Sequence, residues 1–225
     1  MSVTHVLVHG AWHGSWCWNK LTSELGDRPV RTVDLPSVGD AGAGLGDDAQ
    51  VLRDAVTSVD GPVMVTAHSY GGMVASRALT GLANVRHIVY LCGFVLDEDV
   101  SLLSAAGGAP LPWWQVRDDG FVDPGNPERI FFNDLPPSAA ATAAAALRPQ
   151  SYRALEDKQS AAAWRTIPST YLVATDDQAL PADAQRAMAQ HCGRKFELIS
   201  SHSPFLSHPD YVASLLREID DELST

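Results

Sequence analysis

The chain has 225 residues, 45% of them hydrophobic and 19% charged, the makeup of a globular domain with a large core and room for an inserted subdomain. Its formal net charge is −11, and its longest basic cluster is Arg194-Lys195. That balance argues against nucleic acid and against an anionic membrane surface as partners, because both are held through basic patches.

The opening "MSVTHVLVHGAW" carries neither the basic region nor the long apolar region of a signal peptide. Within it, Thr4–Gly10 is a short apolar run ending at a glycine, which predicts a strand. Ser15–Gly26 has helical spacing, with Ser15 as an N-cap and Gly26 as a terminator. Val30–Leu35 predicts a strand, and Asp47–Val59 a helix with Val51, Leu52, Ala55, Val56 and Val59 on one face. Pro62–Ala67 predicts a strand, Gly71–Leu82 a helix and Arg86–Gly93 a further strand. Continuous apolar strands between helices imply an α/β fold with a buried, mostly parallel sheet and helices on both faces.

The alternation breaks after Phe94. Residues 97–165 are rich in Pro, Gly and Ala, yet "PLPWW" and "IFF" are too apolar for a solvated linker. Together with the alanine run, a strong helix former, they predict a helical cap inserted in a core made of residues 1–96 and 166–225. Alternation then resumes with a strand over Ser169–Asp177, a helix over Pro181–Cys192, a strand over Lys195–Ser200 and a closing amphipathic helix over His208–Leu223. No apolar run reaches transmembrane length. Cys17, Cys92 and Cys192 are widely spaced with no CxxC pair. They predict buried reduced thiols, which fits a cytoplasmic protein, rather than disulfides or a zinc site.

The chemistry centres on "AHSYGG", where Ser69 follows a predicted strand and precedes a helix. This matches the G-x-S-x-G nucleophile elbow with Ala67 in place of the first glycine; the sharp turn needs small side chains two residues either side of the serine. A serine hydroxyl needs a base, and the base an orienting acid. Of eight histidines, His5 and His87 lie in strands and read as structural. His191 ends a helix, His208 begins one, and His68 points to the opposite face from its neighbour Ser69. His9 and His13 read as hydrogen-bonded scaffold, with no acidic third ligand nearby to make a metal site. His202, directly after the last strand, is the expected base. The acid comes from "VATDDQALP", which offers Asp176 and Asp177. The N–H of Tyr70, the residue after the nucleophile, is one oxyanion donor; the loop "HGAWHGSWCW" supplies the other.

"VLVHGAWHGSWCW", "AHSYGG", "FFNDLP", "LRPQS", "TDDQALP" and "SHSPFLSHP" together resemble the plant methylesterase and hydroxynitrile lyase branch of the α/β-hydrolase superfamily, with its bacterial esterase relatives. The resemblance spans nearly the whole chain. It implies Asp177 rather than Asp176 as the acid, Ala11 as the second oxyanion donor, and a shortened hydrolase sheet of about six strands. Homodimers are common in that branch. Its cyanohydrin-cleaving members carry a threonine after the first loop histidine and a lysine after the catalytic histidine; here those positions are Gly10 and Ser203.

The expectation is therefore a serine carboxylesterase with Ser69, His202 and Asp177 as its triad. It acts on a small-molecule ester and needs no cofactor or metal. Trp12, Phe94, Trp113, Trp114, Phe121, Phe131, Phe132 and Phe205 are the candidate pocket-lining residues, which suggests an apolar or aromatic substrate of modest size. Two rivals stay open. One is lactone, thioester or carbon–carbon lyase chemistry on the same triad, and the other is a non-catalytic binding protein on this scaffold.

Overall fold

The computed structural model describes residues 2–223. Six strands form one fully parallel sheet: β1 (Thr4–Val8), β2 (Val30–Val33), β3 (Val63–His68), β4 (Val85–Leu91), β8 (Ser169–Ala174) and β9 (Arg194–Leu198), in the spatial order β2-β1-β3-β4-β8-β9. Every residue of β3 and β8 is buried, as a sheet covered on both faces requires. From β1 the chain steps outward to β2, then crosses back to β3 and β4. Right-handed crossovers therefore put α1 (Asn19–Leu25) on one face and α2 (Leu45–Thr57) and α3 (Gly71–Ala78) on the other. The packing agrees: α2 lies on α3, and α1 lies against the last helix of the chain, Pro209–Leu223.

The strand order reverses between β1 and β3. Ligands of open α/β sheets bind at such a switch point, outside the carboxyl ends of the strands. The Ala11 loop leaves β1 there, and Ser69 follows β3.

Between β4 and β8 the chain is less helical than its composition predicts. Short helices α4 (Leu102–Ala105), α5 (Pro127–Phe131), α6 (Pro137–Ala145) and α7 (Tyr152–Glu156) are joined by a small antiparallel sheet of β5 (Trp114–Val116), β6 (Phe121–Pro124) and β7 (Gln150–Ser151). The alanine run does form α6. This region is tied to the strand ends by specific bonds: Trp12 Nε1 donates to the Val122 carbonyl at 2.8 Å, Arg148 N to the Trp12 carbonyl at 2.9 Å, and Ser201 N to Asp134 Oδ2 at 2.8 Å. Near the amino end, Ser15 and its neighbours form a 3₁₀ turn ahead of α1, and Ser15 makes no side-chain cap. Its N–H is bound instead by Asp34 Oδ1 at 2.7 Å. Helix α8 (Ala182–Ala189) follows β8, with Pro181 at its cap. Among the described residues no helix is long and apolar enough to cross a membrane.

Candidate active site

Ser69 occupies a sharp strand-to-helix turn with φ +52°, a left-handed conformation costing a non-glycine residue roughly 1–2 kcal/mol. Trp12 (φ 64°) and Cys92 (φ 38°) follow β1 and β4 in the same unusual region, and such backbone outliers concentrate at functional sites. The turn is closed by Gly72 N and Phe94 N, which both donate to the Ser69 carbonyl, at 2.9 and 3.0 Å. The glycines after it are a packing requirement. A Cβ on Gly71 would lie 2.6 Å from the His9 carbonyl oxygen, and one on Gly72 would lie 2.5 Å from that of Phe94. On the other side, a Cβ on Gly10 would lie 2.8 Å from Ser69 Cβ and 2.8 Å from His68 Nδ1.

His202 is buried, and its Nδ1 lies 2.6 Å from Asp177 Oδ2. The Asp177 carboxylate is an acceptor throughout. Oδ1 takes the N–H groups of Ala179 and Leu180 at 2.7 and 2.9 Å, and Oδ2 takes the Gln185 amide at 2.9 Å as well as His202. Asp176 is exposed and binds Asn133 Nδ2 at 3.0 Å. Gln185, which no local motif marks, is held in turn by the Ala174 N–H on its Oε1 at 2.9 Å.

The backbone N–H groups of Ala11 and Tyr70 donate to no protein acceptor among the described residues; Tyr70 is the N-cap of α3, where the backbone N–H groups have no intrahelical partner. The Tyr70 ring is buried, and its hydroxyl donates to Asp48 Oδ2 at 2.6 Å. Burial raises the Asp48 carboxyl above its ordinary pKa, opposed by hydrogen bonds from Ser37 and Tyr70.

Ser69, His202 and Ala11 line one cavity of about 280 Å³ at the switch point. Five expected lining residues surround it: Trp12, Phe94, Trp113, Trp114 and Phe131. Three do not. Phe121 lies on β6 under the Arg117 guanidinium. Phe132 is fully buried against His13, and Phe205 packs on Trp18 and His68. Leu102, Leu111, Leu180 and Pro181 complete the apolar wall. His202 is the one titratable side chain in the lining.

The other histidines have structural work. His9 Nδ1 donates to the Gly10 carbonyl at 2.8 Å, leaving Nε2 to accept the Leu35 N–H at 3.1 Å; burial pushes its pKa down to about 4. His13 Nδ1 donates to the Ala11 carbonyl at 2.8 Å, and burial pushes it down to about 3. His68 faces the site more closely than strand alternation suggests. Its Nε2 donates to the His202 carbonyl at 2.8 Å, and the Cys92 thiol reaches the same oxygen at 3.3 Å. Those bonds account for the closeness of His68, Cys92 and His202, whose potential metal-ligand atoms lie within 4.8 Å of one another. His87 pairs with Thr170 Oγ1, His5 with Asp220, and His191 lies against Trp164 with the rings tilted by 35°. All three cysteines are free and buried.

A parallel sheet crossed at its switch point by a serine elbow and a buried His–Asp pair defines an α/β-hydrolase fold. Residues 6–215 match the Alpha/beta hydrolase family, and the chain belongs to it. It is 27% identical over 195 residues to the alpha/beta hydrolase nvfD of Aspergillus novofumigatus (strain IBT 16806), covering 78% of each chain. It is 28% identical over 255 residues to methyl jasmonate esterase 1 of Vitis vinifera, covering 97% of each. Among solved structures, the pyrethroid hydrolase of Sphingobium faniae JZ-2 superposes with a TM-score of 0.81 at 22% identity, covering 98% of both chains. At that identity the likeness is one of fold.

Proposed function

We propose that this protein is a serine carboxylesterase acting on small to medium apolar or aromatic esters. The observation that carries the reading is the 2.6 Å His202–Asp177 bond beside the same apolar cavity that Ser69 lines. In this reading Ser69 Oγ attacks the ester carbonyl and His202 Nε2 takes its proton. Asp177 holds the Nδ1–H tautomer and stabilises the imidazolium. The unpaired N–H groups of Ala11 and Tyr70 receive the oxyanion, a contribution of roughly 3–4 kcal/mol per donor in other hydrolases. Collapse expels the alcohol, which takes its proton from His202, and water then attacks the acyl-enzyme by the same route. Residues 97–165 act as the cap that excludes bulk water from the cavity.

The lining holds no Lys, Arg, Asp or Glu, which favours a neutral substrate over a charged one. Ester hydrolysis is favoured over cyanohydrin cleavage by two positions. Gly10 supplies no threonine hydroxyl beside Ser69, and Ser203 offers no positive charge to hold a leaving cyanide. The names of the relatives, a methyl jasmonate esterase among them, support hydrolysis of an ester. The test is turnover of nitrophenyl esters by the wild type and by Ser69→Ala. The variant is expected to lose about 10⁴-fold or more in kcat, and retained turnover would overturn the assignment.

A further inference from the structure

Behind the site, a chain of buried polar side chains runs between the two backbone donors. Tyr70 Oη donates to Asp48 Oδ2 at 2.6 Å. Ser37 Oγ donates to the same oxygen at 2.6 Å, and Ser37 N donates to Asp48 Oδ1 at 2.9 Å. Gln150 Nε2 donates to Ser37 Oγ at 2.8 Å, and Gln150 Oε1 accepts the Trp12 N–H at 3.3 Å. Ser37, Asp48, Tyr70 and Gln150 are all fully buried. Donor and acceptor roles are consistent along the whole path. The Ser37 hydroxyl gives its one proton to Asp48 and takes one from Gln150, which orients the Gln150 amide with its oxygen toward Trp12.

The ends of this path are telling. One is the ring of the residue whose N–H follows Ser69, and the other is the amide next after Ala11. Gln150 comes from β7, in the segment between β4 and β8, 138 residues from Trp12. The path therefore joins that segment to both donor loops. A Phe at position 70 and apolar residues at 37, 48 and 150 would fill the same space without any buried polar cost, so a role in filling the core does not account for it.

We propose that Asp48, Ser37 and Gln150 are positioning residues that set the separation of the Ala11 and Tyr70 N–H groups, and that Gln150 makes this setting depend on the seating of the cap segment. The inference rests on the oxyanion role given to those two groups above. Two loops that leave different strands have no covalent reason to keep a fixed distance. A shared rigid network supplies one, and a misplacement of about 1 Å at the reacting centre can cost about 10²-fold in rate.

The experiment uses Tyr70→Phe, Gln150→Met and their double variant, with Ser37→Ala held in reserve should either fail to fold. Each is assayed for kcat and KM on a nitrophenyl ester and for inhibition by a trifluoromethyl ketone, which forms a tetrahedral oxyanion on a serine. Each single change is expected to lower kcat and weaken the ketone together, by at least tenfold, with KM within about twofold. The double variant is expected to lose little more than the worse single, as for groups acting through one network. Losses that multiply, or ketone affinity left at the wild-type level, would overturn the positioning role. A wild type that neither hydrolyses the ester nor binds the ketone would instead overturn the esterase reading beneath it.

Discussion

His202 Nδ1 and Asp177 Oδ2 stand 2.6 Å apart, with both side chains buried and the two residues 25 positions apart in the chain. The pair joins the loop after β8 to the loop after β9, neighbouring parallel strands. The sheet itself sets the distance, and Asp177 is fixed further by two backbone N–H groups and Gln185.

Replacing Asp177 with Asn keeps the size and removes the acceptor character. The amide oxygen can keep the Ala179 and Leu180 N–H bonds. Its NH₂ then meets two groups that now donate, His202 Nδ1–H and Gln185 Nε2, and the imidazole is driven to the wrong tautomer. The expected result is a loss of about 10²–10⁴-fold in kcat with a small change in KM, measured by steady-state kinetics. Unchanged kcat would remove Asp177 from the chemistry.

Gly72→Ala tests the packing of the elbow. Its Cβ would meet the Phe94 carbonyl oxygen at 2.5 Å and the Phe94 nitrogen at 2.9 Å, backbone atoms that move only with β4 and its loop. A destabilisation of about 1–3 kcal/mol is expected from such overpacking, read as a fall in the urea midpoint. The same variant is expected to lose activity, because the displaced atoms close the Ser69 turn.

Acid is expected to unfold the protein through its buried histidines. Burial holds His9 at about 4, His13 at about 3 and His87 at about 4, against an ordinary value of 6.5. The folded state keeps them neutral while the unfolded chain takes up protons below 6.5. Their contribution is therefore fully present above pH 6.5 and is lost as the pH falls toward 4. Each group contributes a slope of about 1.4 kcal/mol per pH unit over that window. Asp48, whose pKa is raised, acts in the opposite sense and offsets part of the loss. Urea titrations between pH 7 and 4.5 measure the sum, and a flat profile would contradict neutral burial of the three rings.

Phe131 lines the cavity and its ring centroid lies 5.7 Å from that of His202. Phe131→Ala is expected to widen the cavity beside His202 and raise kcat/KM for longer acyl chains relative to acetate. It should also cost about 3–5 kcal/mol of stability. A nitrophenyl ester series of increasing chain length reads the change in preference.

The four inner core strands were legible because each is a largely apolar run ended by turn residues; the edge strands β2 and β9 carry charged residues and were legible from their place in the strand–helix alternation. Ser69 was legible because a strand, a serine and a run of glycines appear in that order. What escaped the sequence depends on distant partners. Strands of two to four residues, such as β7 and β6, exist only through their neighbours, so the Pro- and Gly-rich stretch hid a small sheet. Phe131 and Phe132 are adjacent, equally aromatic and both packed on His13, yet Phe131 lines the cavity and Phe132 does not; composition carries no such direction. Gln185 looked like an ordinary polar residue, and Gln150 stood in the LRPQS segment with no role marked for it. Their importance lies in Asp177 and in Trp12, and for Gln150 that partner is 138 positions away.

The most direct measurement is the mass of the intact protein after exposure to a fluorophosphonate, followed by peptide mapping. One adduct per chain is expected, placed on Ser69, with none on Ser69→Ala and slowed labelling of His202→Ala. A protein that stays unlabelled, or whose adduct maps to another residue while Ser69 stays free, would contradict the assignment of Ser69.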